Sequence, residues 1–174
     1  TITQKSTPPF FIEKLKHSLN IILDENESEN DLADYIQSVR RDIPKDPLQT
    51  SFSVTIGDFE KYRSTDSRSL WKGGAQLQMR ASLVHNWLID KMKLEIPKIK
   101  PGDDIYYTLL KQPNPYHVDC IAFADDLPDE FGLHKYIDYD AIFRKAFLKS
   151  VELMARPCSI NTERQENIED EFFS

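Results

Sequence analysis

The chain has 174 residues, 40% hydrophobic and 11% aromatic, with a formal net charge of −7. That size and apolar content suit one domain with a real core. The acidity excludes a protein coated in nucleic acid, so any polyanion must meet a single face, and no apolar run reaches the roughly 18–20 residues that span a membrane.

Thr1–Thr7 is short, polar and β-leaning, and Thr7 before Pro8 reads as an N-cap with proline in the first helical turn. The periodicity predicts a helix from Pro8 to about Leu23, with Phe11, Leu15, Leu19 and Ile22 inward. A second helix follows the acidic turn at 24–27. Ser28 is its cap, Asp31 stands at the capping-box position, and Leu32, Tyr35, Ile36 and Val39 form its core face. Arg40 and Arg41 close it where cations favour the helix dipole. Residues 43–49 hold two prolines and read as a linker. Phe52, Val54 and Ile56 alternate as a short strand, which Gly57 breaks. Residues 58–70 are polar and read as an exposed loop with a helical turn.

The long stretch Trp71–Lys93 (WKGGAQLQMRASLVHNWLIDKMK) is the centre of the pattern. After Lys72-Gly73-Gly74 it becomes one helix ending near Leu94. Leu77, Ala81, Val84 and Leu88 form its stripe, and Trp87 and Met92 widen it. Arg80, Val84, Trp87 and Lys91 share an adjacent face. Residues 72–100 carry six Lys/Arg against two acids, a local +4 inside an acidic chain. Such a patch suits a polyanion, and Gly-Gly beside a Lys lets backbone approach a phosphate. A solvated edge of a buried amphipathic helix gives the same pattern.

Pro101-Gly102 signals a turn. Ile105–Lys111 and Val118–Phe123 read as an antiparallel strand pair, joined through Gln112–Tyr116, whose two prolines exclude a ladder. Residues 125–132 form an acidic turn. Asp138 caps a last helix whose stripe runs through Ile142, Ala146, Leu148 or Lys149, and Leu153. From Pro157 periodicity fades into an acidic tail bearing Ile168, Phe172 and Phe173. Apolar residues in such a tail suit a short motif that docks in a partner's groove, or a segment folding back on its own domain. The fold class is therefore α+β: mostly helical, with a small antiparallel sheet and a flexible C-terminal tail.

Self-contained chemistry is not legible. His17, His85, His117 and His134 lie on separate elements without metal-ligand spacing. Asp103-Asp104 and Asp125-Asp126 sit where turns favour Asp for backbone reasons. Cys120 and Cys158 read as reduced thiols of a cytosolic protein. No P-loop, GxSxG or GxGxxG pattern occurs.

Several stretches, in order, resemble the C-terminal end of B-family DNA polymerases of T-even-like tailed bacteriophages. They are TQKSTP (3–8), KYRS (61–64), WKGGAQLQMRASLVHNWLI (71–89), LLKQPNPYHVDCIAF (109–123), KYIDYDAIFRKAFL (135–148) and IEDEFFS (168–174). The resemblance implies a connecting segment from the palm at 1–7, a thumb at 8–156 and a tail at 157–174. It implies a thumb that grips primer–template duplex by its backbone without selecting sequence. Lys5, Lys61, Tyr62, Lys72, Arg80 and Asn86 are carried over as DNA contacts, and Lys91, Lys93 and Lys111 join them on charge and position. Ile168, Phe172 and Phe173 resemble a sliding-clamp peptide, with the aromatic pair four and five residues after Ile168. In the family's usual peptide the pair falls three and four after the aliphatic residue. The palm's metal-binding aspartates, the fingers and the exonuclease are absent from this sequence. The resemblance therefore implies a catalytically inactive piece, cofactor-free itself, with magnesium expected in a partner palm. The sequence is then either a piece cut from a longer polymerase or the small half of a polymerase encoded in two chains, and the Thr1 start fits the second, acting in the cytoplasm of an infected bacterial host. An adapter that binds a clamp or another replication protein and no DNA is the alternative.

Overall fold

Ser28 and Asp31 illustrate how local chemistry sets this fold. The Ser28 hydroxyl accepts the Asp31 N–H at 3.2 Å, while the Asp31 carboxylate accepts the Ser28 N–H at 2.7 Å. This capping box starts helix α2 (Glu29–Arg41), which buries Leu32, Ala33, Ile36 and Val39. The computed structural model describes residues 5–158, 160 and 162. Helix α1 (Pro9–Leu23) begins one residue later than expected, because Pro8 rather than Thr7 takes the cap position. Its buried row is Phe11, Leu15, Ser18 and Ile22. Ser18 displaces the expected Leu19 inward because its hydroxyl donates to the Lys14 carbonyl at 2.9 Å and so needs no water.

The expected linker at 43–49 contains a short helix, α3 (Pro47–Thr50), capped by the Asp46 carboxylate on the Leu48 N–H. Three antiparallel strands follow: β1 (Phe52–Thr55), β2 (Asp104–Leu109) and β3 (Cys120–Phe123), in the order β1-β2-β3. Phe52 pairs with Tyr107, and Tyr106 with Phe123. Both pairs stack, at 5.3 and 5.5 Å between ring centres, and the alternation of a strand places them on opposite faces of the sheet.

Helix α4 (Leu77–Met92) lies against β3, every residue of which is buried. The expected stripe holds: Ala81, Val84 and Leu88 are fully enclosed, and Leu77 packs on the core from its edge. Ser82, Leu83, His85, Asn86 and Ile89 are buried as well, so α4 is covered around most of its circumference. It stops at Lys93, whose positive φ of 54° ends the helix.

The last helical run comprises α5 (Tyr139–Phe143), a π-helical turn (Arg144–Leu148) and α6 (Lys149–Ala155). Asp138 caps it as expected, accepting the Ala141 N–H at 3.0 Å. Phe143, Phe147, Val151 and Ala155 face inward, and Leu153 is 62% exposed. The expected row through Leu153 fails because a π turn adds a residue and re-phases the face after it. This run packs on α1, where Phe11 stacks on Phe147 with ring centres 6.1 Å apart. Arg40 also reaches beyond its own helix end and pairs with Asp140 at 2.9 Å. The tail residues Ile168, Phe172 and Phe173 lie outside the described residues.

Candidate nucleic-acid interface

The hairpin before α4 gathers three of the residues singled out by sequence. Arg63 and Trp71 form an antiparallel bridge. The Lys72 N–H donates to the Tyr62 carbonyl at 2.7 Å, and the Ser64 N–H to the Leu70 carbonyl at 3.3 Å. Lys61 therefore projects beside Tyr62, its ammonium 5.3 Å from the ring centre, with Lys72 on the facing strand. Lys61 and Lys72 are exposed. Trp71 joins this hairpin to α4, because the Arg80 guanidinium lies over its ring at 5.5 Å.

A second group forms at the far end of α4. Lys91 sits 4.7 Å from the centre of the Trp87 ring, and Tyr116 meets that ring edge-on at 6.1 Å. Asn114, 5% exposed, shapes the 112–118 loop that carries Tyr116: its amide donates to the Lys111 and Val118 carbonyls. Lys111 is exposed at the start of this loop, and Lys93 is exposed at the end of α4. A groove of about 280 Å³ lies between the groups, lined by Arg63, Ser69, Leu83, Trp87 and Asp90 among others.

Ion pairs decide the sign of this surface. Glu60 is met by Arg63 at 2.8 Å, Asp66 by Arg68 at 3.3 Å and Asp90 by Lys98 at 2.6 Å. The Arg68 backbone N–H, then its side chain, hold the Asp66 carboxyl below its ordinary range. Three of the acids on this surface are thus compensated. Lys61, Lys72, Lys91 and Lys93 have no carboxylate partner among the described residues, so the surface is net positive. Spaced ammonium groups beside half-buried aromatics suit contact with a sugar-phosphate backbone rather than base reading.

The remaining sequence candidates sit elsewhere. Lys5 lines a separate open cleft of about 870 Å³ beside β1, with Ser53, Thr55, Asp104 and Tyr106. Arg80 is only 27% exposed and pairs with Asp119 at 3.2 Å. Asn86 is 4% exposed and bonds the backbone of Ile99 through both ends of its amide. Its Oδ1 also lies 3.1 Å from Nδ1 of His85, which burial keeps below its ordinary basicity. Sequence reasoning overlooked Asp119, because its partner lies 39 residues away and no spacing announces the pair. Asp119 also adjoins Cys120, whose thiol is pushed above its ordinary range, first by burial and then by that carboxylate. Among the described residues no group of His, Cys, Asp and Glu could hold a metal ion, and no helix is long and apolar enough to cross a membrane.

No protein-family model matches the chain. It is 25% identical over 176 aligned residues to the DNA-directed DNA polymerase of Enterobacteria phage T4, an alignment covering 95% of this chain and 18% of that polymerase. It is 27% identical over 99 residues to the DNA-directed DNA polymerase of Escherichia phage RB69, covering 54% of this chain and 11% of the relative. The chain is distantly similar to phage DNA-directed DNA polymerases. It spans less than a fifth of the length of these relatives.

Proposed function

We propose that this chain is the thumb of a B-family phage DNA polymerase, holding primer–template duplex for a palm-bearing catalytic chain. The observation that carries the reading is the alignment with a phage polymerase along 95% of the chain. The net-positive surface formed by the 60–72 hairpin and the outer side of α4 supports it. Lys61, Lys72, Lys91 and Lys93 neutralise phosphates there, and Tyr62 and Trp87 supply apolar contact to sugars. Contacts of this kind position a duplex without sequence preference. Residues 1–7 lead in from the palm, and 8–156 form the thumb. The palm, fingers and exonuclease lie outside these 174 residues, and the palm holds the magnesium ions and performs nucleotidyl transfer, so these residues alone are inactive. Ile168, Phe172 and Phe173 in the tail dock a sliding clamp. The assembly works in the cytoplasm of the infected host.

Primer extension tests this reading. A matching palm-bearing chain is assayed with and without this protein, at two salt concentrations and with and without clamp. Restored or lengthened synthesis that salt erodes is the expected result. No complex and no change in product length would overturn the thumb assignment. Replacing Phe172 and Phe173 together by Ala is expected to shorten products only when clamp is present. An equal loss without clamp would overturn the docking role.

A further inference from the structure

We infer that Arg80 positions the DNA-facing hairpin through Asp119 and Trp71, and is not itself a phosphate contact. The inference rests on the thumb reading for its functional consequence. Its structural basis stands independently of that reading. Nη2 of Arg80 donates to Oδ2 of Asp119 at 3.2 Å, and the guanidinium carbon lies over the Trp71 ring, 5.5 Å from its centre. Nε of Arg80 and Oδ1 of Asp119 are both buried and have no hydrogen-bond partner. The inner sides of both charges are therefore out of water, and losing either partner leaves the other poorly solvated. Asp119 also cancels the charge that Arg80 would bring to a phosphate.

The consequence runs through Trp71. This residue carries the Arg63 bridge, and the next, Lys72, donates to Tyr62. The Ser69 hydroxyl bonds the Trp71 carbonyl at 2.8 Å, holding the turn closed. Asp119 accepts the Leu110 N–H through its own carbonyl at 2.9 Å, so the pair is fixed to the sheet just before β3. The sheet holds Asp119, Asp119 holds Arg80, Arg80 holds Trp71, and Trp71 sets where Lys72 and Lys61 project. A planar guanidinium is needed for this chain of contacts, since a Lys ammonium cannot both cover the ring and reach the carboxylate in the same geometry.

The test uses the full chain, a short fluorescently labelled duplex and a salt titration, with hydrogen exchange at the Lys72 amide read in parallel. Asp119→Asn removes a negative charge. If Arg80 touches phosphate, this variant binds more tightly and Lys72 exchange is unchanged, which overturns the inference. If Arg80 positions the hairpin, binding weakens, the salt slope falls by about 1.8 as two phosphate contacts are lost, and the Lys72 amide exchanges faster. Arg80→Lys is expected to speed that exchange and lower the slope, whereas full retention of both would overturn the positioning role. Trp71→Ala alters neither charge, and serves if Asp119→Asn does not fold. It is expected to reproduce the slope loss, and an unchanged slope contradicts the inference. A wild-type chain that binds no duplex would overturn the thumb reading, while Lys72 exchange in the variants still decides the positioning role.

Discussion

The carboxamide of Asn86 closes a two-bond clamp on the backbone of Ile99. Its Nδ2–H donates to the Ile99 carbonyl at 2.9 Å, and its Oδ1 accepts the Ile99 N–H at 2.8 Å. Both residues are buried, at 4% and 3% exposure. The clamp fixes the segment after α4 to the middle of that helix, substituting a side chain for the ladder partner that Ile99 lacks. Asn86→Ala strands a buried donor and a buried acceptor, and is expected to destabilise the fold by about 3 kcal/mol. Urea unfolding measures this loss. Duplex affinity of the folded fraction is expected to stay unchanged. A folded Asn86→Ala chain whose salt slope drops would return this residue to the DNA surface.

Lys72 lies opposite Tyr62 across the hairpin and Lys61 beside Tyr62, and neither lysine has a carboxylate partner among the described residues. Lys61→Ala and Lys72→Ala are each expected to lower the salt slope of duplex binding by about 0.9, and the pair by about 1.8. The loss is expected to be equal for duplexes of unrelated sequence. A loss confined to one sequence would contradict backbone contact.

His85 is 1% exposed, packed edge-on to Phe131 at 5.7 Å, and its pKa lies below its ordinary 6.5, chiefly through burial. The unfolded chain takes up this proton more readily than the folded one. Its contribution to stability is therefore complete above about pH 6.5 and declines as pH falls through that value toward the lower folded pKa. Unfolding free energies measured across this window are expected to fall more steeply in the wild type than in His85→Leu. Parallel curves would show that His85 is not the group responsible.

Val151 is fully buried, whereas Leu153, two residues later, is 62% exposed. Val151→Ala is expected to cost about 2 kcal/mol. Leu153→Ser is expected to stay within about 0.5 kcal/mol of wild type. The reverse ranking, by thermal or urea unfolding, would mean that the π turn does not re-phase the helix.

Elements governed by neighbours in the chain were legible in the sequence. The capping box at Ser28 and Asp31, the Asp138 cap, the alternation in β1 and the long period of α4 each depend on residues within a few positions. The cationic character of 72–100 was legible for the same reason. Side-chain destinations were less so. Arg80 and Lys91 share a periodic face, yet one pairs with Asp119 while the other rests on Trp87 at the surface. Asn86 stood in the same basic helix, and its turn toward Ile99 had no signature, because a buried amide looks like a surface amide in one dimension.

The sequence by itself determined the longer helices, the strand pair and a basic helix in an acidic chain, since propensity, capping and periodicity act over one or two turns. Only the tertiary structure decided which cations remain unpaired and which side chains brace the hairpin. Those outcomes depend on contacts such as Arg80 with Asp119 and Arg40 with Asp140, 39 and 100 residues apart. An ion pair depends on a few ångströms of space, and packing of the whole core sets that distance.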